Sequence, residues 1–411
     1  MEKFQLKELF QQEFSKMVAV MSNLFGLQHI EMAEDIVSDT FLTAAEEWKK
    51  KGMPENPTAW LYTVAKRKAI RLFRRQEVLQ KKIVPALIAG RQNETQDIEL
   101  CFSPEHIRDS QLQMLFAVCT PAIASEAQIG LALRILCGFG IDEIADAFLS
   151  NKETINKRLF RAKEKLRGEK VKLEVPAEPE ISARLDNVLH IIYLLFSEGY
   201  YSRTQNRVLR KELCAEAMRL GLLLTENSRT NLPKTNALMA LMCFHASRFE
   251  ARLTNETEFI LYEQQDQRLW DHSLIKRGMQ YLALSATGDQ VTSYHLEARI
   301  ASWHCIKEDS KQKWEEILQL YNQLLMINYS PGVALNRTFA LYKANGRQEA
   351  LAEAEKLKLE ADPFYYLLLG FLYKDLDDLK SRLHWERAYE LAKTAPERQQ
   401  ILEKIRTLPR H

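Results

Sequence analysis

Apolar residues recur along most of the chain at three- and four-residue spacing, the mark of amphipathic helices. Residues 6–24 set Leu6, Leu9, Phe10, Phe14, Met17, Val18 and Met21 on one side of a helix. A second helix follows over 30–48, IEMAEDIVSDTFLTAAEEW. Its Ile36, Val37, Phe41 and Ala44 point inward, and Glu34, Asp35, Ser38 and Asp39 form an acidic outer patch. The loop 49–58, KKKGMPENPT, holds a Gly and two Pro and continues neither helix. AWLYTVAKRKAIRLFRR then makes a helix with Leu61, Val64, Ala65 and Leu72 inward. Trp60, Arg67, Arg71 and Arg74 line up on another side, within about 60° of one another.

Periodicity fades over 83–109, which turns acidic and reads as a linker. A second module opens near Ser110, and Pro121 breaks its first helix. Within it the stretch 142–167, DEIADAFLSNKETINKRLFRAKEKLR, predicts two helices across a tight turn. Asp142 is placed to cap the first, and Ser150 with Glu153 forms an S-x-x-E capping box for the second. Ile155, Leu159, Ala162 and Leu166 share an inward face, while Thr154, Lys157, Arg158, Arg161 and Lys165 project elsewhere. A short helix holding a basic helix across a turn matches the geometry that enters a DNA major groove. It matches equally an ordinary hairpin with a solvated charged face.

The segment EVPAEPEIS, beyond Leu173, is Pro-rich and acidic and marks another boundary. Helical patterns then succeed one another over 188–196, 213–224, 236–253, 275–286, 293–305 and 314–325. Near the C-terminus Leu341-Tyr342-Lys343 returns as Leu372-Tyr373-Lys374, with Gly370 and Ala388 where closely packed helix pairs need small residues. The offset lies near the period of about 34 residues of tetratricopeptide repeats, whose stacked pairs bind other chains on a concave side. Tyr200, Arg248, Arg252, Asp266, Arg268 and Trp270 are candidates for a polar site in this tail, against the plainer reading of structural pairs in a helical core.

Length and composition narrow the class. A chain of 411 residues holds two or more domains, and 14 Gly with 12 Pro suit an all-α protein. Net charge is only +2, with 26 basic and 23 acidic side chains over 1–172, so clustering says more than the total. Six cysteines without a C-x-x-C suit a reducing compartment and disfavour disulfides or zinc. Cys243 and His245 are neighbours in sequence, better explained by chance than by a metal. No apolar run approaches the roughly 20 residues that cross a membrane, and MEKFQLKELF is not a signal peptide, so a cytoplasmic location is expected. No G-x-S-x-G, phosphate-binding Gly loop, H-E-x-x-H or metal-spaced cluster occurs; no catalytic residue, metal or cofactor is expected.

An aromatic ring followed by an arginine stripe suits single-stranded or melted nucleic acid, because bases stack on the ring and phosphates pair with guanidinium groups. Trp60 fits a core position as well. Two basic helices in one chain weigh toward nucleic acid.

Taken together, residues 1 to about 170 resemble a bacterial RNA polymerase sigma factor of the extracytoplasmic-function type. AEDIVSDTF with NPTAWLYTVAKRKAIRLFRR is similar to the family's region 2, and TINKRLFRAKEKLR to the recognition helix of region 4. RLDNVLHIIYLLFSEGYYS, ALMALMCFHASRFEAR, QQDQRLWD, YHLEARIASWH, WEEILQLYNQLL and SPGVALNRTFAL are similar to the long helical extension of one sigma subgroup, whose tail ends in tetratricopeptide-like repeats.

The resemblance implies region 2 at 1–82, a linker at 83–109, region 4 with its helix-turn-helix at 110–172, a helical extension at 173–330 and repeats at 331–411. It implies that Asp35, Ser38 and Asp39 meet the clamp helices of core RNA polymerase. Asn56, in the 49–58 loop that captures a flipped base, and Trp60, Arg67, Arg71, Arg74 and Arg75 would serve the −10 promoter element. Thr154, Lys157, Arg158 and Arg161 would read the −35 element. Ser38 stands where the family usually has Gln, Arg71 where an Asp is common, and Thr120, in VCTPAIA, where a His is frequent.

The expectation is a sigma factor that initiates transcription and is regulated in cis by its C-terminal domain. Its partners would be polymerase, promoter DNA and a protein on the repeats, with no membrane. The rivals are a helix-turn-helix regulator that never meets polymerase and an enzyme housed in the tail.

Overall fold

The computed structural model describes residues 2–83, 102–177, 180–200, 207–254, 258–259, 262–392 and 395–409. The expected linker lies outside them from 84 to 101. Arg74 and Arg75 sit in a helix, but their side chains also lie outside the described residues. The fold is all-α, as expected. The one strand pairing among the described residues is a short antiparallel ladder, Leu253 to Phe259 and Thr254 to Glu258. The chain forms two compact units, Met1–Thr230 and Asn231–His411. No helix among the described residues is long and apolar enough to cross a membrane.

The first unit contains α1 (Glu2–Phe25), α2 (Ile30–Lys51), α3 (Pro57–Ile83), α4 (Pro104–Val118), α5 (Ser125–Leu131), α6 (Ile141–Ala147), α7 (Lys152–Gly168), α8 (Glu180–Tyr200) and α9 (Arg207–Thr225). Helix α5 runs on into a π-helical turn, Ala132–Leu136. The core is built where α1 meets α4: Phe14, Met17, Val18 and Met21 are fully buried, as are Met114, Leu115 and Phe116. Gly52 ends α2 at φ 79, its N–H donating to Trp48 O at 2.8 Å, and that left-handed conformation favours glycine. Helix α4 begins ahead of Ser110, because Ser103 Oγ accepts from His106 N at 3.2 Å and Pro104 fits the first helical turn.

Helix α8 continues the first unit beyond residue 172. Arg184 Nη2 donates to Phe116 O at 2.6 Å, and Asn187 Nδ2 donates to Cys119 O at 2.7 Å and to Gln128 Oε1 at 2.9 Å. Arg219 Nη2, on α9, donates to Leu136 O at 2.6 Å. The α8–α9 hairpin thus satisfies carbonyls that end α4 and the π turn, groups that need partners when buried.

The second unit contains α10 (Pro233–Ala246), α11 (Phe249–Arg252), α12 (His272–Ser285), α13 (Ser293–Trp303), α14 (Lys311–Ile327), α15 (Pro331–Asn345), α16 (Arg347–Leu357), α17 (Pro363–Tyr373), α18 (Asp378–Leu391) and α19 (Ala395–Arg406). The single helix expected over 236–253 is split into α10 and α11, with Ser247 Oγ donating to Phe244 O at 2.8 Å at the break. From α13 on, successive helices pack in a chain around Leu296, Ile317, Leu320, Leu341 and Leu372. Gly370 and Ala388 do lie in tight contacts: a Cβ at Gly370 would overlap the Trp385 ring, and Ala388 is fully buried.

Burial is the first cause that lowers the pKa of His245, His295, His304 and His384, all in this unit, and His304 falls to about 3. In the unfolded chain these rings titrate near 6.5, so as pH falls past that value the unfolded state binds more protons than the folded one. Stability is complete above about pH 6.5 and is lost below it, by up to about 1.4 kcal/mol per pH unit for each ring, until the folded rings themselves titrate. Four of the six tryptophans, Trp270, Trp303, Trp314 and Trp385, lie in this unit and Trp48 and Trp60 in the first, so the second unit's transition is the one that His304→Gln alters in tryptophan fluorescence. Its melting temperature should drop between about pH 7.5 and about pH 5.5, and His304→Gln should shrink the drop; equal melting at both pH values would contradict this.

Candidate polymerase and nucleic-acid interface

On α2 the outward residues Asp35 and Asp39 are exposed and Ser38 is half-buried. Asp39 is tethered: Lys68 Nζ on α3 lies 2.5 Å from its Oδ2 and 2.9 Å from its backbone O, and donates to Thr43 Oγ1 at 2.7 Å. Leu42 is 64% exposed and continues the same face at i, i+3, i+4 and i+7 from Asp35. It is not among the residues expected at this face. Its signal in the sequence is an apolar residue out of phase with Ile36, Val37, Phe41 and Ala44.

Asn56 caps α3, its Oδ1 accepting from Ala59 N at 3.0 Å. Trp60 is half-buried, and its ring meets the buried Trp48 edge-on, with centroids 5.3 Å apart. Arg67 and Arg71 are exposed further along the same side. The stripe therefore starts on an anchored ring and runs into solvent-facing guanidinium groups. Tyr62, on another side of α3, stacks on Phe102 at 4.5 Å and donates to the Glu13 carboxylate, and burial first, then Glu13, drives its pKa far above the phenol range.

The α6–α7 pair closes across residues 148–151, with Leu149 at φ 48. Its caps differ from those expected. Gly140, not Asp142, precedes α6, and its N–H donates to Glu143 Oε2 at 2.7 Å; Asp142 instead pairs with Lys152 at 2.7 Å. The cap of α7 is Asn151, whose Oδ1 accepts from Thr154 N at 2.8 Å, because Ser150 N is already committed to Ala145 O at 2.8 Å. Glu153 pairs with Lys157 rather than closing a capping box. The inward face is as expected, with Ile155, Leu159, Ala162 and Leu166 all buried. Thr154, Lys157 and Arg161 are exposed. Arg158 is held 3.1 Å from Glu126 and over the Phe148 ring at 5.6 Å. Phe160, 64% exposed on α7, is a second apolar residue on an outer face that the expected set omits.

Glu34 does not belong to the outer acidic patch; it is buried. Its Oε1 accepts from Arg134 Nε at 3.2 Å and its Oε2 from Lys163 Nζ at 2.5 Å. Arg134 also donates to Phe139 O at 3.1 Å and lies over the Phe14 ring at 5.7 Å. At the outer end Arg167 Nη2 meets Glu31 Oε2 at 2.6 Å, and its Nε donates to Gln28 O at 3.1 Å. One buried carboxylate on α2 therefore bolts the π turn and α7 to the helix carrying Asp35, Ser38 and Asp39.

The tail candidates do not all converge, although Arg248 and Trp270 both meet the Tyr262 ring. Tyr200 belongs to the first unit and the other five to the second. Asp266 and Arg268 pair with each other at the surface at 2.7 Å, Arg248 lies over the Tyr262 ring at 5.4 Å, and Trp270 is buried.

Residues 9–78 match sigma-70 region 2, and residues 184–286 match a family of unknown function (DUF6596). An uncharacterized protein of Rhizobium meliloti (strain 1021) is 32% identical over 374 residues, 90% of this chain and 88% of that protein. No solved structure matches. The region 2 match falls on α1 to α3, and such domains imply binding to core RNA polymerase and promoter DNA. With this much sequence in common, the chain belongs to one family with the Rhizobium protein, and it carries a sigma-70 region 2 domain, which supports a sigma-70-type factor.

Proposed function

We propose that the chain is a sigma factor of the extracytoplasmic-function type, acting in the cytoplasm and not itself an enzyme. Asp35, Ser38 and Asp39, joined by Leu42, dock on the clamp helices of core polymerase. Asn56, Trp60, Arg67, Arg71, Arg74 and Arg75 hold and open the −10 element, while α6–α7 acts as a helix-turn-helix whose Thr154, Lys157, Arg158 and Arg161 read the −35 element. Region 2 corresponds to 1–82 and region 4 to 110–172. The tail regulates in cis, and its C-terminal helix pairs, read as tetratricopeptide-like repeats, take a protein partner. The observation that carries this reading is the region 2 match, laid over helices that expose an acidic face on α2 and an aromatic–arginine stripe on α3.

Cis regulation draws support from dimensions. The two elements, 25 base pairs apart by their own positions, are separated by about 85 Å at 3.4 Å per pair. A compact unit of 230 residues has a radius of gyration of about 17 Å, and so spans about 45 Å. The α1–α4 core contact and the Glu34 bolt must therefore both open before both elements are engaged. Helices α8 and α9, which brace the region 4 side, belong to the apparatus that holds it shut.

Run-off transcription with core polymerase and candidate promoters tests the reading. The chain should give a product, and Arg67→Ala with Arg71→Ala should abolish it while lowering the log–log salt slope of promoter binding by about 2. Tight DNA binding with no product on any promoter would favour a simple helix-turn-helix regulator instead. A truncation after Thr230 should retain the first unit's melting, whereas one after Lys172 should not, because it strips the partners of Phe116 O, Cys119 O and Leu136 O.

A further inference from the structure

The second unit holds a cavity that the sigma reading does not use. Its volume is about 840 Å³, and its apolar walls include Trp314, Phe339 and Phe371. These rings continue a series that is edge-to-face from Tyr262 to His304 at 5.1 Å, His304 to Trp314 at 5.9 Å and Trp314 to Phe339 at 5.8 Å, and ends with Phe371 tilted by 43° against Phe339 at 6.0 Å. That size and mostly aromatic lining match small-molecule sites.

One end of the series is cationic. Arg248, Lys307 and Lys313 stand 5.4, 5.8 and 5.2 Å from the Tyr262 ring centroid. Lys313, only 1% exposed, donates to Tyr262 Oη at 3.0 Å and to Ile306 O; Lys307, a wall residue, donates to Gln265 O at 2.6 Å. The nearby carboxylates are taken: Asp309 lies 2.6 Å and Glu263 3.7 Å from Lys343. Among the described residues neither Lys307 nor Lys313 has a carboxylate within ion-pair distance. His304 also lines the wall, and its buried Nδ1 lacks a hydrogen-bond partner there.

Buried cations are ordinarily paired with anions, whereas buried Lys313 and half-buried Lys307 hydrogen-bond only carbonyls and a hydroxyl, with Asp309 and Asp266 acting on them from beyond ion-pair distance. An incoming anion would place a counter-charge within ion-pair distance of the lysines, closer than Asp309 or Asp266 stands. Burial already pulls the Lys313 pKa down, which is the cost such an anion would relieve.

We propose that this cavity binds a small organic anion, a flat aromatic ring bearing a carboxylate. The ring lies against Trp314, Phe339 and Phe371, and the carboxylate faces Lys307, with Lys313 and Tyr262 behind it. The site is independent of the sigma reading, and gives the tail a chemical input of its own.

Calorimetric titration of the full chain with indole-3-carboxylate, indole-3-carboxamide and acetate tests it. The indole acid should saturate with a Kd below about 1 mM, and the carboxamide and acetate should bind at least about tenfold more weakly. Lys307→Met should erase the acid-over-amide preference, Lys307→Arg should keep it, and Phe339→Ala should weaken acid and amide alike. Melting curves confirm that each variant is folded, and Lys307→Arg with Phe339→Ala decide the matter if Lys307→Met is not. No saturable binding of the acid, equal binding of acid and amide, or a preference that survives Lys307→Met would overturn the proposal. So would saturation by an acidic tryptophan-bearing peptide amide alone, which would make the cavity a peptide groove.

Discussion

Glu34→Gln is expected to destabilise the first unit and, in the same chain, to tighten its binding to core polymerase. The substitution keeps the shape and removes the charge that Arg134 and Lys163 share at 3.2 and 2.5 Å. Removing one partner of a buried charge cluster costs about 3 kcal/mol or more, mostly because the remaining charges stay desolvated. Lys163, at 13% side-chain exposure, can swing its ammonium toward water and limit that loss; Arg134 keeps its bond to Phe139 O. A double-mutant cycle with Lys163→Met should return a coupling of about 2 kcal/mol. Polymerase affinity should move the other way, because the apparent affinity of a partner that needs the open form is reduced by the fraction held closed. A gain of about tenfold corresponds to a bias of about 1.4 kcal/mol toward the closed form. If the variant melted lower yet bound polymerase no better, the bolt would be structural only, and cis control would have to lie elsewhere in the tail.

Gly199→Val should separate α8 from α9. A Cβ at Gly199 would sit 2.7 Å from Arg210 O, 2.7 Å from Cys214 Sγ and 2.9 Å from Cys214 N. Two of these are backbone atoms, which cannot turn aside as a flexible side chain would. Overpacking of this kind costs about 3 kcal/mol or more when the backbone must move. Because α8 also carries Arg184 and Asn187, their bonds to Phe116 O, Cys119 O and Gln128 should weaken with it. The chain supplies its own control in Gly168 at the end of α7, where an added Cβ meets nothing within 4 Å. Gly168→Ala should be neutral or stabilising by up to about 1 kcal/mol. Denaturant unfolding followed by circular dichroism compares the two, and a Gly199→Val midpoint equal to that of the natural chain would mean that the helices are not so closely apposed.

Local rules make much of this protein legible from the order of its residues. The inward faces of α1, α2, α3 and α7 follow from i, i+3, i+4 spacing, which depends on neighbours along one helix. The small residues Gly370 and Ala388 are readable for the same reason, as gaps in an otherwise bulky pattern. Caps are harder. Ser150 and Asn151 are both good cap residues, and the choice turns on where Ser150 N finds its acceptor in the preceding helix.

What the sequence by itself determined is an all-α chain, the faces of its helices, and an aromatic–arginine stripe on α3. Only the tertiary structure decided that Glu34 is buried, since its partners Arg134 and Lys163 lie 100 and 129 residues further along. It likewise decided that α8 and α9 complete the first unit despite the Pro-rich segment ahead of them, and that the Lys307 and Lys313 ammonium groups meet carbonyls instead of carboxylates. Periodicity tells which side of a helix is apolar. Which charge is taken out of water depends on a partner that only the folded chain brings within about 3 Å.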